Sequence, residues 1–139
     1  MPAILFDDIE AAFITDMRDR LAVRPEPYAA GVAVRNRVPD ESNTDAWPAS
    51  GRLVVVRDDG GPTDWVRGVA RIGVRVWATS EGEASDLANL LVALVGGWES
   101  AVVRDANPQR PFSVTEESGR PAMYFTAELI IRGRKLPAA

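Results

Sequence analysis

The stretch VARIGVRVWATSEGEASDLANLLVALVGGW, Val69 to Trp98, decides the fold. Its first part alternates with period two. Ala70, Ile72, Val74 and Val76 point to one side, and Arg67, just upstream, Val69, Arg71, Gly73, Arg75 and Trp77 to the other. The period then changes. Ser80 and Glu83 have the spacing of a capping box, and Ala84, Leu87, Ala88, Leu91, Leu94, Val95 and Trp98 recur at helical steps, with Gly96 and Gly97 at the fraying end. A strand with one aliphatic face runs directly into a helix with one aliphatic stripe. Each can bury that surface against the other, which leaves the arginine-bearing face for solvent or another molecule.

Working outward, GRLVVVRDDGGPTDWVRGVARIGVRVWAT predicts a hairpin with strands at about Arg52 to Arg57 and Trp65 to Ala78, joined through the turn-forming DDGGPTD. Upstream, Phe6, Ile9, Phe13, Met17 and Leu21 recur at steps of three and four, which predicts a helix over about Asp7 to Val23, capped by Asp7 with Glu10 and ended by Pro25 and Pro27. A strand is expected over Ala30 to Val38, with Val32, Val34 and Val38 opposite Ala33, Arg35 and Arg37. Pro39 to Ser50 reads as a long acidic loop carrying Trp47. Beyond the second helix, PFSVTEESGRPAMYFTAELIIRG predicts a final hairpin, with a turn near Ser118 to Pro121 and a long strand from Ala122 to about Arg132. The order of helix, strands, helix and strands gives one α+β domain: a mostly antiparallel or mixed sheet with two amphipathic helices on one face.

The 139 residues suffice for a single core, and 46% hydrophobic with 26% charged residues is globular composition. The longest aliphatic run, Leu90 to Val95, is too short to cross a bilayer. Cysteine and histidine are both absent, which removes thiolate nucleophiles, the commonest zinc ligands and the side chain best suited to proton transfer near neutral pH. The net charge of -4 argues against a broad phosphate-neutralising face. Adjacent carboxylates at Asp7/Asp8, Asp58/Asp59 and Glu116/Glu117 stand at a helix start or beside turns, where dipole and turn hydrogen bonding favour them without any metal or acid–base role. DDGGPTD lacks the spacing and lysine of a phosphate-binding loop. Lys135, the only lysine, sits in the terminal tail, a poor place to activate a serine. No catalytic, cofactor-binding or metal-binding residue is assigned.

Interfaces remain. The outward row Arg67, Arg71 and Arg75 has three readings: contact with nucleic acid, pairing with acidic neighbours across the sheet, or pairing with carboxylates of another subunit. Trp77 favours the last, because an aromatic beside arginines matches the composition of interface hot spots, with packing under the final strand as its rival reading. Arg35, Arg37 and Trp47 complete the candidate interface set, and Trp65 raises a weaker suspicion.

Three segments together, FDDIEAAFITDMRDRL, RIGVRVWATSEGEASDLANLLVAL and FSVTEESGRPAMYFTAELIIRG, resemble the tail terminator, or tail completion, proteins of bacteriophages with long non-contractile tails. The resemblance spans almost the whole chain. It implies a virion subunit, assembled in the host cytoplasm, that forms a six-fold ring on the head-proximal end of the tail tube, ends tube polymerisation and provides the surface for the head. Its implied partners are further copies of itself, the tail tube protein and a head–tail connector or stopper protein, with the tape measure protein as a further contact. Genomic DNA would pass through without sequence-specific binding, and no cofactor is implied. Two alternatives stay open: another neck component, and a small cytosolic binding domain or enzyme.

Overall fold

The computed structural model describes residues 3–39, 47–63, 67–116 and 118–136. They form an α+β unit with a seven-stranded mixed sheet and two α-helices. In chain order these are β1 Ile4–Phe6, α1 Ile9–Ala22, β2 Ala33–Arg35, β3 Leu53–Asp58, β4 Arg67–Trp77, α2 Glu81–Gly96, β5 Val103–Pro108, β6 Phe112–Val114 and β7 Ala122–Lys135. β7 is the spine. One edge pairs antiparallel with β4 along its whole length, and the other is tiled by three short strands, β6 against 122–124, β5 against 127–131 and β1 against 133–135.

β3 pairs antiparallel with β4, Leu53 opposite Trp77 and Val56 opposite Val74, so the predicted hairpin is present. Its arm is longer than expected. DDGGPTD does not turn at once, because Asp59 N–H donates to Arg71 O (2.7 Å), Arg71 N–H to Gly60 O (2.9 Å) and Val69 N–H to Pro62 O (2.8 Å). Gly61 lies so close to β4 that a Cβ there would meet Val69 O at 1.8 Å, which explains a glycine within a paired arm. β2 runs parallel to β3. A parallel return needs a crossover of a dozen or more residues, and the long connection over 36–52 supplies it.

The expected strand over Ala30 to Val38 contracts to β2, after a 3₁₀ turn at Pro27–Ala29. α1 is capped by Asp8 rather than Asp7: its carboxylate accepts from the N–H groups of Glu10 (3.0 Å) and Ala11 (3.2 Å). Asp7 instead meets Arg134 at 3.1 Å. The Glu10 carboxylate reaches away from the cap, accepting from Asp58 N–H (2.8 Å) and Asn36 Nδ2 (3.3 Å), and ties α1 to β3. Phe6 belongs to β1, not to the helix.

Ile9, Phe13, Met17 and Leu21 of α1 and Ala84, Leu87, Ala88, Leu91 and Val95 of α2 are buried against one face of the sheet. That face supplies Val34, Val54, Val56, Ala70, Ile72, Val74, Val76, Phe125, Ala127 and Leu129. Trp98 closes the seam between the helices, edge-on to Phe13 at 5.8 Å with its Nε1 donating to Asp16 (2.8 Å). The predicted cap of α2 is present: Ser80 Oγ accepts from Glu83 N–H at 3.2 Å. Glu83 then pairs with Arg52 at the start of β3 (2.8 Å), and Arg52 also donates to Ala30 O (2.7 Å). The Arg52 hydrogen bond is the chief reason that the Glu83 carboxyl titrates below its ordinary range.

Candidate functional site

With both helices on one side, the other face of the sheet is where function-bearing side chains can gather. Period two sends Leu53, Val55 and Arg57 of β3, the odd-numbered residues of β4, and Tyr124, Thr126, Glu128 and Ile130 of β7 to this face. The face has two regions of different chemistry.

The first region is aromatic and closed. Trp77 is 1% exposed and packs with Leu53, Val55 and Ala122 in a second, smaller core, with Trp47 half-buried over it. The two indoles meet edge to face at 5.6 Å, the Arg120 guanidinium stacks on Trp47 at 4.0 Å, and Arg75 lies 5.7 Å from the Trp77 ring. Trp77 therefore does not present a surface to another molecule, contrary to the expectation drawn from its alternation. The reason is that Trp47, in the connection between β2 and β3, packs on this end of the sheet, and Trp77 is the floor on which it sits. Trp47 is engaged by its own chain.

The second region is open and carries arginines, three of them paired with carboxylates of the same chain. Arg71 stands directly opposite Glu128 in the β4–β7 register, and their charged groups approach to 3.7 Å. Arg75 pairs with Glu116 at 3.1 Å and Arg57 with Asp59 at 2.7 Å. The intramolecular reading of the arginine row is thus realised for Arg71 and Arg75. Arg71 and Glu128 remain 64% and 51% exposed, so their attraction is screened and weak. Around this region lie Arg35 in β2, half-buried, Arg37 just beyond it, exposed, and Arg67 at the start of β4, exposed. Trp65, Glu117 and residues 40–46 of the expected acidic loop fall outside the described residues.

Between the two regions is a concavity of about 290 Å³ whose floor is Val55, Gly73 and Val114 and whose walls are Asn36, Val38, Arg57, Arg75 and Tyr124. Gly73 shapes it. A Cβ at that position would lie 2.3 Å from the Tyr124 hydroxyl oxygen, so the missing side chain is what lets the phenol lie across β4. Phe112 of β6 packs edge-on to Tyr124 at 5.6 Å and is itself 55% exposed, and Val38 is 49% exposed on the opposite wall. Sequence reading missed Arg57, Phe112 and Tyr124. The predicted final hairpin is present as β6 on β7, and alternation in FSV and AMYFTAEL could have placed the two aromatics on this face had its register been fixed first.

The carboxylate pairs do structural work. Asp8 caps α1, Asp7 meets Arg134, Asp58 accepts from Gly60 N–H, and Asp59 and Glu116 meet arginines. Lys135 is the last residue of β7, opposite Ile4, rather than part of a free tail. Among the described residues no three carboxylate, histidine or cysteine side chains gather as a metal-binding set, and no helix is long and apolar enough to cross a membrane. What this face can do chemically is hold another surface or a small acidic or aromatic group, through arginine, tyrosine and exposed apolar side chains. Comparison with protein-family models and with curated proteins gave no match.

Proposed function

We propose that this chain is a structural subunit of a bacteriophage tail, of the tail terminator kind. Copies close into a six-fold ring on the head-proximal end of the tail tube, stop its polymerisation and give the head its docking surface. The observation that carries the reading is the one-sided sheet: both helices cover one face, while the other keeps exposed Phe112 and Val38 among arginines. A ring subunit needs such uncovered surface, and needs no reacting group. The resemblance of three segments in their order along the chain supports the same assignment. The tube protein, the connector or stopper protein and further copies of the chain are its partners, and DNA passes through without sequence readout.

Reconstruction of virus particles carrying this chain is the test. The expected density is a six-fold ring between tube and head, and particles without the chain should show overlong tubes and unattached heads. Density at the distal tip of the tail or on the capsid overturns the assignment. The concavity at Arg57, Arg75 and Tyr124 favours a second reading, a small binding domain for acidic ligands. A monomer that binds aromatic carboxylates and forms no part of a particle would establish it.

A further inference from the structure

The concavity on the open face holds about 290 Å³, at the small end of ligand sites, over a floor of Val55, Val114 and the bare backbone of Gly73. Its polar walls keep capacity for a ligand. Asp59 takes the Nε–H of Arg57 (2.7 Å) and Glu116 one terminal nitrogen of Arg75 (3.1 Å). A guanidinium carries several N–H groups, so each arginine has donors left over. The Asn36 amide donates through Nδ2 to Glu10 (3.3 Å), which leaves its Oδ1 as an acceptor. The Tyr124 hydroxyl, laid across β4 where Gly73 has no Cβ, forms no hydrogen bond to another described residue. Carboxylates then decide what charge the site accepts. Asp59 and Glu116 offset the two guanidinium groups, and Glu10 stands behind Asn36, so the concavity has no positive surplus. An arriving carboxylate would give up its water to meet at least as many like charges as opposite ones. A cation would face the guanidinium groups on the walls. A neutral carbonyl oxygen accepts the same hydrogen bonds without the desolvation of a charge.

We propose that this concavity binds an uncharged amide carried on a flat apolar body. The carbonyl oxygen accepts from Arg75 and Tyr124, the amide N–H donates to Asn36 Oδ1, and the apolar body lies on Val55 and Val114 against Val38. Arg75 is the better placed of the two arginines. Its side chain is 41% exposed, against 72% for Arg57, and the Trp77 ring at 5.7 Å holds it from a second side. The site is complete within one chain, so it needs no ring and does not rest on the terminator reading. Two sources carry this chemistry, a small aryl amide and an uncharged aromatic residue with its peptide group, and the choice of probe separates them.

Amide proton–nitrogen NMR spectra of the full chain, titrated separately with benzamide, benzoate and N-acetylphenylalaninamide, test it. Benzamide should bind with a millimolar Kd, as its few atoms allow, and shift the signals of Val55, Gly73 and Val114. It should bind about tenfold or more tightly than benzoate, and added salt should not change its Kd. Tyr124→Phe should weaken benzamide about two- to tenfold, the effect of one hydrogen bond. Asp59→Asn with Glu116→Gln leaves the arginines uncompensated and should reverse the order, with benzoate gaining about tenfold or more. Circular dichroism monitors the fold, and if one variant fails to fold the other carries the test. Binding of N-acetylphenylalaninamide as tight as that of benzamide keeps the proposal and assigns a polypeptide source; benzamide alone keeps it and assigns a small molecule. Benzoate tighter than benzamide on the wild-type chain overturns the proposal in favour of an acidic ligand. Absence of shifts at the concavity with every probe, a Tyr124→Phe chain that binds benzamide as the wild type does, or an unreversed order in the double variant also overturns it. The six-fold ring is untouched by any of these results, as its test is the particle.

Discussion

Replacing Trp77 with alanine asks whether this residue belongs to the fold or to an interface. The indole is 1% exposed, held between Leu53, Val55 and Ala122 with Trp47 above it. A buried tryptophan removes roughly 200 Å² from water, about 5 kcal/mol at 25 cal/mol per Å², an upper figure because the unfolded chain already hides part of that area. Alanine leaves a void that β3, β4 and β7 cannot fill without breaking their shared register, and Trp47 loses its edge-to-face partner. The expected loss is therefore about 3–5 kcal/mol. Trp47→Ala, which removes a half-buried lid and leaves the floor in place, should cost about 1–2 kcal/mol, and the double variant less than the sum because the two rings share one contact. Urea denaturation followed by circular dichroism, with unchanged slope, measures all three. A Trp77→Ala chain within about 1 kcal/mol of wild type, with its defect confined to assembly, would refute this reasoning and return Trp77 to the interface.

Glu83→Gln should cost about 1–3 kcal/mol at neutral pH, because it strips a charge-assisted partner from Arg52 where both side chains are only 20% exposed. The folded-state pKa of Glu83 is depressed, so the pairing contributes fully above the ordinary carboxylate range and is lost as pH falls through the lowered value; denaturation midpoints of variant and wild type should converge on acidification, and a pH-independent gap would contradict this. Asp8→Ala should cost about 1 kcal/mol and Asp7→Ala less than half of that, with helix content and denaturation midpoint as the measures. Gly61→Ala should cost at least about 2 kcal/mol and expose the β3–β4 arm to amide exchange, since the new methyl would strike the backbone of β4. Arg71→Ala should change stability by less than about 1 kcal/mol in the same denaturation assay, as its ion pair is exposed.

Where periodicity was long and uninterrupted, sequence was enough. Ala70 to Val76 and Ala84 to Val95 repeat their apolar residues over several turns or pleats, and every aliphatic position expected on the buried face of β4 is in the core. Short elements carry no such repeat. β1 has three residues, and its identity comes from pairing with β7, not from its own composition, whereas β6, equally short, is the first arm of the predicted final hairpin, which is present. What holds for β1 holds for β5, whose sequence VRDANP has neither alternation nor strand-forming residues beyond Val103. The cap of α1 was misplaced by one residue because Asp7 and Asp8 offer the same chemistry, and only the path of the chain out of β1 selects the second.

The candidate site shows what alternation can and cannot say. It assigns Arg71, Arg75 and Trp77 to one face of β4, and they are there. It does not say what else crosses that face. Where the chain re-enters the described residues before β3, Trp47 covers Trp77 while Arg71 stays open. One strand face is thereby divided into a structural end and an accessible end. The aromatic that looked like an interface anchor became the support for a lid, whereas Phe112 and Tyr124, from the predicted final hairpin, whose register is fixed only in three dimensions, took the position beside the arginines that Trp77 was expected to hold. The make-up of this face then depends on the sheet register, because a slip of β7 by one residue would turn Tyr124 and Glu128 into the core and destroy the surface together with the fold.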